Sequence, residues 1–482
     1  MRIHLTRKNG ARRFAGVAVA VTAAAFTVGL IPAASASTAA PAGPAAAGSA
    51  SAVAAPISST CHWLPTPAAI WVTDPVNSPV GLISGVYGSR GSRGVAYRIN
   101  GQFTHTTTMS FTVYNNLADI PAANYVINDS QIIPDPGSVN PFVPGNLVEA
   151  TPRNYTVWFW PDSIPVPAGL KNVILYPTKP YAPGTGVARW FVAMRQYHPQ
   201  PGYTQLEGLR QTKVTAVSAA TMKPVRCPLH TAGTFANFVL AYGRHAKYWG
   251  PIPVPPEPAT GNKIYFTRAP AAAFLGLDGY PGTLPQACLQ YMVATLPKAK
   301  ISVVTMHKVA MYFNNDLVTP TSVMKDYQIR YQSFGVNYFT LNTRLYNSGW
   351  TNTDDSVYTS GGEWVTVYLP GDPRLPASEI AQVRSLAAAE NFNVIQLPPP
   401  PVGPLAKELP YPSIAIRQKA ISSSFRYSNK NIPCWSQNHN YKTYADQTSR
   451  AFFARYASNP RNNGPYYADG VKMTFAQFIA KY

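Results

Sequence analysis

The chain has 482 residues, a formal net charge of +20, 46% hydrophobic and 12% aromatic residues, 12% charged residues and 47 prolines. That apolar and aromatic content excludes a mainly disordered chain. Charged residues at half their ordinary share of about 25%, with proline enriched, point to a β-rich, loop-rich extracellular protein. No arginine-rich tract or zinc-finger spacing is present, so specific nucleic-acid recognition is not expected.

Residues 1–36 read as an export signal. Arg2, Arg7, Lys8, Arg12 and Arg13 form a basic start, 15–30 is a short apolar run of small residues, and Ala34-Ser35-Ala36 is an A-x-A cleavage site. The run is too short and alanine-rich for a membrane span, so the expectation is a secreted protein, extracellular or cell-wall associated, with no transmembrane anchor. Phe14-Ala15-Gly16 after the arginine pair makes a poor twin-arginine signal, which favours general secretion. Of the +20, five charges belong to this leader, which has no acidic residue, so +15 remains on the mature chain and favours polyanionic surroundings.

Removing 36 of 482 residues leaves 446, more than one hydrophobic core usually serves, so two domains are expected. Residues 37–58 are an Ala/Ser/Pro linker, 59–250 a first β-domain, 251–260 a Pro-rich linker, 261–420 a second β-domain, and 421–482 a C-terminal extension with a terminal helix. Strands are predicted at 109–114, 155–160, 173–176 and 190–194, which are rich in β-branched and aromatic residues. Helical patterning is confined to 234–248, 284–294, 376–390 and 473–482. The fold class expected is mainly β: two tandem, duplicated antiparallel β-sandwich domains with a few inserted helices.

Duplication is read from four collinear matches. Phe111-Thr112-Val113 recurs as Phe339-Thr340-Leu341, and Thr156-Val157-Trp158 as Thr366-Val367-Tyr368. Asn172-Val173-Ile174 recurs as Asn393-Val394-Ile395, and Ala193-Met194-Arg195-Gln196 as Ala415-Ile416-Arg417-Gln418. Four cysteines, Cys61, Cys227, Cys288 and Cys434, predict two disulfides with the connectivity open, and none has C-x-x-C spacing.

Residues 109–114 (Met-Ser-Phe-Thr-Val-Tyr), 133–142 (Ile-Pro-Asp-Pro-Gly-Ser-Val-Asn-Pro-Phe) and Tyr155-Thr156-Val157 resemble a family of uncharacterised actinobacterial secreted proteins. The second segment, 327–417, resembles the companion part of the same proteins, and the resemblance spans about 60–420. It implies an exported β-rich protein and brings no activity or catalytic residues.

No G-x-S-x-G nucleophile motif occurs. Ser322-Val323-Met324-Lys325 matches S-x-x-K, but Lys442-Thr443 is followed by Tyr444 instead of glycine, which argues against a penicillin-binding enzyme. Among carboxylates, Asp135 belongs to a Pro-Asp-Pro-Gly turn, Asp354-Asp355 to a polar loop, and Glu363 follows Gly361-Gly362 at a strand start where it could face the other half. His62, His105, His198, His230, His245, His307 and His439 show no H-x-x-x-H spacing, so neither a metal nor a cofactor is expected. Gly88-Ser89-Arg90-Gly91-Ser92-Arg93-Gly94 is a basic loop able to cradle an anion.

The candidate ligand-binding residues are Arg195 and Arg417, matched arginines placed to clamp an anionic group between the halves, Trp158 and Trp160 as an outward indole face, and His105 among Thr104, Thr106, Thr107 and Thr108. The function expected is binding of an anionic or carbohydrate ligand, polymer or small molecule, in the envelope or medium, without assigned catalysis. The alternative is an extracellular hydrolase or lyase acting in the cleft between the two domains.

Overall fold

In the computed structural model the described residues are 58–66, 80–87, 93–115, 126–176, 178, 188–204, 206–228, 261–268, 291–297, 299–338, 346–352, 356–371, 375–397, 412–419, 421–428, 455 and 457–482. Their strands form four five-stranded sheets. The first joins β1 (Thr60–Cys61), β4 (Val95–Gln102), β7 (Asn154–Pro161), β8 (Val173–Tyr176) and β10 (Lys213–Ser218) in the order β1-β10-β4-β7-β8. The second joins β2 (Leu64–Thr66), β3 (Val80–Tyr87), β5 (Thr106–Asn115), β6 (Val126–Asn128) and β9 (Ala188–Pro199) in the order β2-β3-β9-β5-β6.

The second half repeats that order. β11 (Lys263–Tyr265), β14 (Ile301–Met306), β17 (Trp364–Leu369), β18 (Asn393–Gln396) and β20 (Ala468–Met473) are arranged β11-β20-β14-β17-β18. β12 (Thr267–Arg268), β13 (Tyr291–Thr295), β15 (Tyr331–Tyr338), β16 (Tyr346–Asn352) and β19 (Ser413–Lys419) are arranged β12-β13-β19-β15-β16. Pairing is antiparallel except for β7 with β8 and β17 with β18, which are parallel.

In each half the two sheets face one another across an apolar core. Tyr97, Ile99, Phe111, Tyr155, Val157, Phe159, Trp190 and Met194 fill the first. Met292, Val304, Phe334, Trp364, Tyr368, Ile414 and Ile416 fill the second. The alternation of inward residues along β7 and β17 follows from the two-residue period of a strand.

A side-chain clamp within each half marks which positions correspond. The Asn172 amide accepts from Ile133 N at 2.8 Å and donates to Ile133 O at 2.7 Å and Thr156 O at 2.9 Å. Asn393 does the same with Val357 N at 3.0 Å, Val357 O at 2.9 Å and Val365 O at 3.0 Å. Trp158 lies beside Val173 and Val367 beside Val394, so Val367, and not Tyr368, holds the place of Trp158. Ser110 pairs with Arg195 and Ser333 with Arg417, which puts Phe334, not Phe339, at the place of Phe111. Both sequence matches slipped because short apolar triplets resemble one another, and a one-residue slip exchanges the faces of a strand.

Three other expectations are corrected or bounded. Residues 421–482 are not simply an extension, because they supply β20, which lies between β11 and β14. Gly470 disguised it: a Cβ there would lie 2.9 Å from Val303 O and 3.1 Å from Ile264 Cβ, so the strand needs glycine where the backbones approach closely. The helix expected at 284–294 gives way to β13 from Tyr291 onward, where Met292 and Ala294 alternate into the core. The remainder of that segment and the helix expected at 234–248 lie outside the described residues. The other two helices are present as α2 (Ala377–Ala389) and α4 (Phe475–Lys481), alongside α1 (Glu207–Gln211) and α3 (Pro460–Asn463). Cys61 and Cys227 are joined in a disulfide, while Cys288 and Cys434 lie outside the described residues. Among the described residues no helix is long and apolar enough to cross a membrane.

The β14 to β15 connection, 307–330, reaches onto the first half. Gly145 N donates to Met324 O at 2.8 Å, Met324 N to Asn146 O at 2.8 Å, and Val148 N to Ser322 O at 2.8 Å. Met324 joins the first core, and fully buried Arg330 forms an ion pair with fully buried Asp129.

Candidate functional site

His105 ends the short turn from β4 to β5. Its backbone N donates to Glu207 Oε2 at 2.9 Å, and its Nδ1 lies 2.6 Å from Glu207 Oε1, so one carboxylate holds both the backbone and the ring. Glu207 opens α1, which the chain can press against the β4 to β5 turn because residue 208 is glycine. A Cβ there would lie 2.4 Å from Met194 Cε and 2.6 Å from Thr104 Cγ2. Gln211 Nε2 donates to Glu207 Oε1 at 3.2 Å.

On the other side of the ring, His105 Nε2 is 2.5 Å from Arg153 Nη1 and 3.2 Å from Glu149 Oε2. Arg153 Nη2 also donates to Thr104 O at 3.1 Å. Nε2 therefore faces a donor, Arg153, and an acceptor, Glu149, at once. The Tyr203 ring stacks on the imidazole with centroids 3.7 Å apart and planes at 10°, and its hydroxyl is 3.4 Å from Glu149 Oε2. Tyr203 is 40% exposed and forms the outer wall. Glu149 Oε1 accepts nothing from the described residues.

The electrostatics are those of a closed acid-base cluster. Burial works to raise the Glu207 carboxyl, but the side-chain and backbone hydrogen bonds of His105, with the charges of His105 and Arg153, outweigh it and hold the group below its ordinary value. Burial lowers the Arg153 guanidinium against the opposing pull of Glu149 and Glu207. Burial, then the charges of Glu149 and Glu207, raise the Tyr203 phenol.

The structure brings only His105 of the sequence candidates into this cluster. Trp158 and Trp160 do face away from the inter-sheet core, but they are buried with Ala96, Val217 and Ala219 under Ile164 and Leu170, and Trp160 Nε1 donates to Ile164 O at 2.9 Å. They form no exposed indole face, because the 162–172 loop folds back over them. Arg195 and Arg417 are 2% and 4% exposed and line no open groove. Arg417 stands over the Tyr197 ring at 5.7 Å, and Tyr197 packs on Tyr331 at 5.1 Å, so the faces carrying them are buried where the halves meet.

The other candidates fall into supporting roles. Asp135 lies in the expected turn, its carbonyl accepting from Ser138 N at 2.9 Å, but its carboxylate accepts from Thr156 Oγ1 of β7 at 3.1 Å and not from the turn backbone. Glu363 does not face the other half; it contacts His307 of its own half at 2.9 Å. Ser322 Oγ stays within its own turn, accepting from Thr319 N at 2.7 Å. Among the described residues no group of three His, Cys, Asp or Glu is placed to hold a metal. His230, His245, His439, Asp354, Asp355 and most of the 88–94 loop lie outside the described residues.

Glu149, Arg153, Tyr203 and Glu207 escaped sequence reading because they lie in connections and meet His105 only through the fold. The one local signal was a histidine set among threonines that are themselves buried.

No family model and no curated protein matches the chain. Among solved structures, an uncharacterized protein from Burkholderia cenocepacia is similar over 73% of this chain and 75% of that chain, at 11% identity and a TM-score of 0.36. A likeness that faint carries no argument about fold or function.

Proposed function

We propose that the protein is an exported two-lobed β-protein that binds a carbohydrate through the His105 and Tyr203 face, without covalent chemistry. The observation that carries this reading is the Tyr203 ring, 40% exposed and held parallel to His105 beside the Glu149 carboxylate. An aromatic face supplies apolar contact to a sugar ring, and a carboxylate accepts from its hydroxyls. Two carboxylates at the site disfavour an anionic group in direct contact. The net charge of the exported chain, 20 − 5 = +15, acts at longer range, keeping the protein near anionic envelope polymers.

Export by way of 1–36, a place in the medium or on the cell wall, and kinship with actinobacterial secreted proteins belong to the same proposal. So does descent of the two halves from one duplicated ten-strand unit, which the repeated strand order supports.

Affinity electrophoresis through gels containing soluble neutral and anionic glycans tests the proposal. Retardation by a neutral glycan that Tyr203→Ala abolishes at unchanged melting temperature, and that His105→Ala abolishes while the chain remains folded, is the expected result. Retardation unaffected by both substitutions removes the site from the reading.

A hydrolase or lyase is the second reading, favoured by the Glu207 to His105 Nδ1 contact at 2.6 Å, which orients an imidazole as a carboxylate orients a general base. It requires Nε2 to leave Arg153. Release of reducing or unsaturated ends from those glycans, lost in His105→Ala, would establish it.

A further inference from the structure

A second histidine occupies the corresponding end of the second half. His307 directly follows β14, as the turn to His105 follows β4. Its Nδ1 lies 2.9 Å from Glu363 Oε1 and its Nε2 3.2 Å from Asp469 Oδ1. Tyr467 stacks on the ring, centroids 4.1 Å apart and planes at 26°, and Tyr467 O accepts from His307 N at 3.2 Å.

The supporting elements match as well. Glu363 precedes β17 as Glu149 and Arg153 precede β7, and Tyr467 and Asp469 stand at the start of β20 as Tyr203 and Glu207 precede β10. In both halves, therefore, three neighbouring strands deliver an imidazole between two carboxylates with a tyrosine on its face. The individual positions differ, because the connections differ in length, yet the chemistry recurs.

We propose that the His307 and Tyr467 face is a second carbohydrate-binding site, so that the chain is bivalent for neutral glycan. The inference rests on the reading of the His105 face given above. It adds that the second face is the more open one: the side chains of His307, Glu363 and Asp469 are 29%, 38% and 53% exposed, against 13% for His105 and 7% for Glu207. Among the described residues no arginine faces His307 as Arg153 faces His105; a nearby cation is Lys308, whose Nζ stands 5.2 Å over the Tyr466 ring. Glu363 and Asp469 supply acceptors for sugar hydroxyls, the Tyr467 ring an apolar wall, and the two carboxylates again disfavour an acidic sugar. Two sites on one chain would raise avidity for a polymer well above that for a short oligosaccharide.

Titration calorimetry of the full chain with cellohexaose, chitohexaose, xylohexaose and maltohexaose tests this. For the oligosaccharide that binds, two molecules per chain are expected, falling to one in Tyr467→Ala, one in Tyr203→Ala and none in the double variant. Glu363→Gln, on an exposed side chain, repeats the Tyr467 measurement should that variant fold poorly. One molecule per chain, lost in Tyr203→Ala and kept in Tyr467→Ala and Glu363→Gln, overturns the second site and leaves the first. One molecule lost only in the second-half variants overturns the reading of the His105 face, and bivalence with it. No binding of any of the four at millimolar concentration overturns both.

Discussion

On the outer face of β7, Trp158 and Trp160 pack beneath Ile164 and Leu170 of a folded-back loop. On the matching face of β17, Val365, Val367 and Leu369 lie instead under Val383 and Ala387 of α2 and Phe478 of α4. One strand order thus carries two different coverings. The histidine clusters differ in the same sense, with His105 closed in by Arg153 and α1 while His307 stands open beside Lys308. Sheet order and inner packing are thus set by the paired sheets themselves. The outer apolar face demands only that something cover it, and large indoles under a loop serve as well as small aliphatic residues under a helix.

Emptying this outer layer should hurt most where one large side chain fills it. Trp160→Ala is expected to cost about 3–5 kcal/mol, and Val383→Ala on the helix-covered side less than half as much, both read from urea unfolding midpoints. Equal losses would show that the loop and the helix share the load differently from the packing described. Asp129→Ala should cost about 3–5 kcal/mol, because it leaves Arg330 buried without its charge partner. It also strands three donors, Thr108 Oγ1 at 2.9 Å, Met109 N at 2.7 Å and Ser130 N at 2.6 Å. A loss below about 1 kcal/mol would show that water reaches that joint between the halves.

The two asparagine clamps give a matched pair. Each substitution by alanine should cost about 1–3 kcal/mol for the unmade hydrogen bonds. Asn172→Ala should exceed Asn393→Ala by about 1 kcal/mol, since Asn172 has φ of 54° and alanine is penalised there. An inverted order would break the equivalence of the two positions.

Glu207 gives the two histidine clusters different responses to pH. Its carboxyl sits below its ordinary value in the folded chain, so its stabilising contribution is complete above the unfolded value of about 4.3 and is lost as pH falls through the folded value. The gap in melting temperature between the native chain and Glu207→Gln should therefore be constant from neutral pH down to that range and narrow below it. Glu363→Gln, on a more exposed carboxylate, should show a smaller gap throughout. A Glu207 gap that does not narrow in acid would dissociate the cluster from the titration of this carboxyl.

Much of the fold was legible because it is written in local pattern. β5, β7, β8 and β9 stand where β-branched and aromatic runs placed them, and α2 and α4 where helical spacing did. The matches of Asn172 with Asn393 and Arg195 with Arg417 sit at equivalent strand positions, since each includes a polar residue that marks register. The matches made only of apolar or β-branched residues slipped. β20 was hidden by Asp469 and Gly470, residues poor in intrinsic strand preference that the close approach of Val303 nonetheless requires.

The candidate site divides along the same line. The alternating faces of β7, the turn at Asp135 and the singular setting of His105 follow from neighbours along the chain. Whether Trp158 and Trp160 met solvent, whether Arg195 and Arg417 flanked a groove, and which carboxylates reached His105 were decided by tertiary structure. Glu149, Arg153, Tyr203 and Glu207 lie 44 to 102 residues from His105, and only the common end of β10, β4 and β7 brings them together. Strand pattern reports which face a residue takes; it carries no information about what later folds over that face.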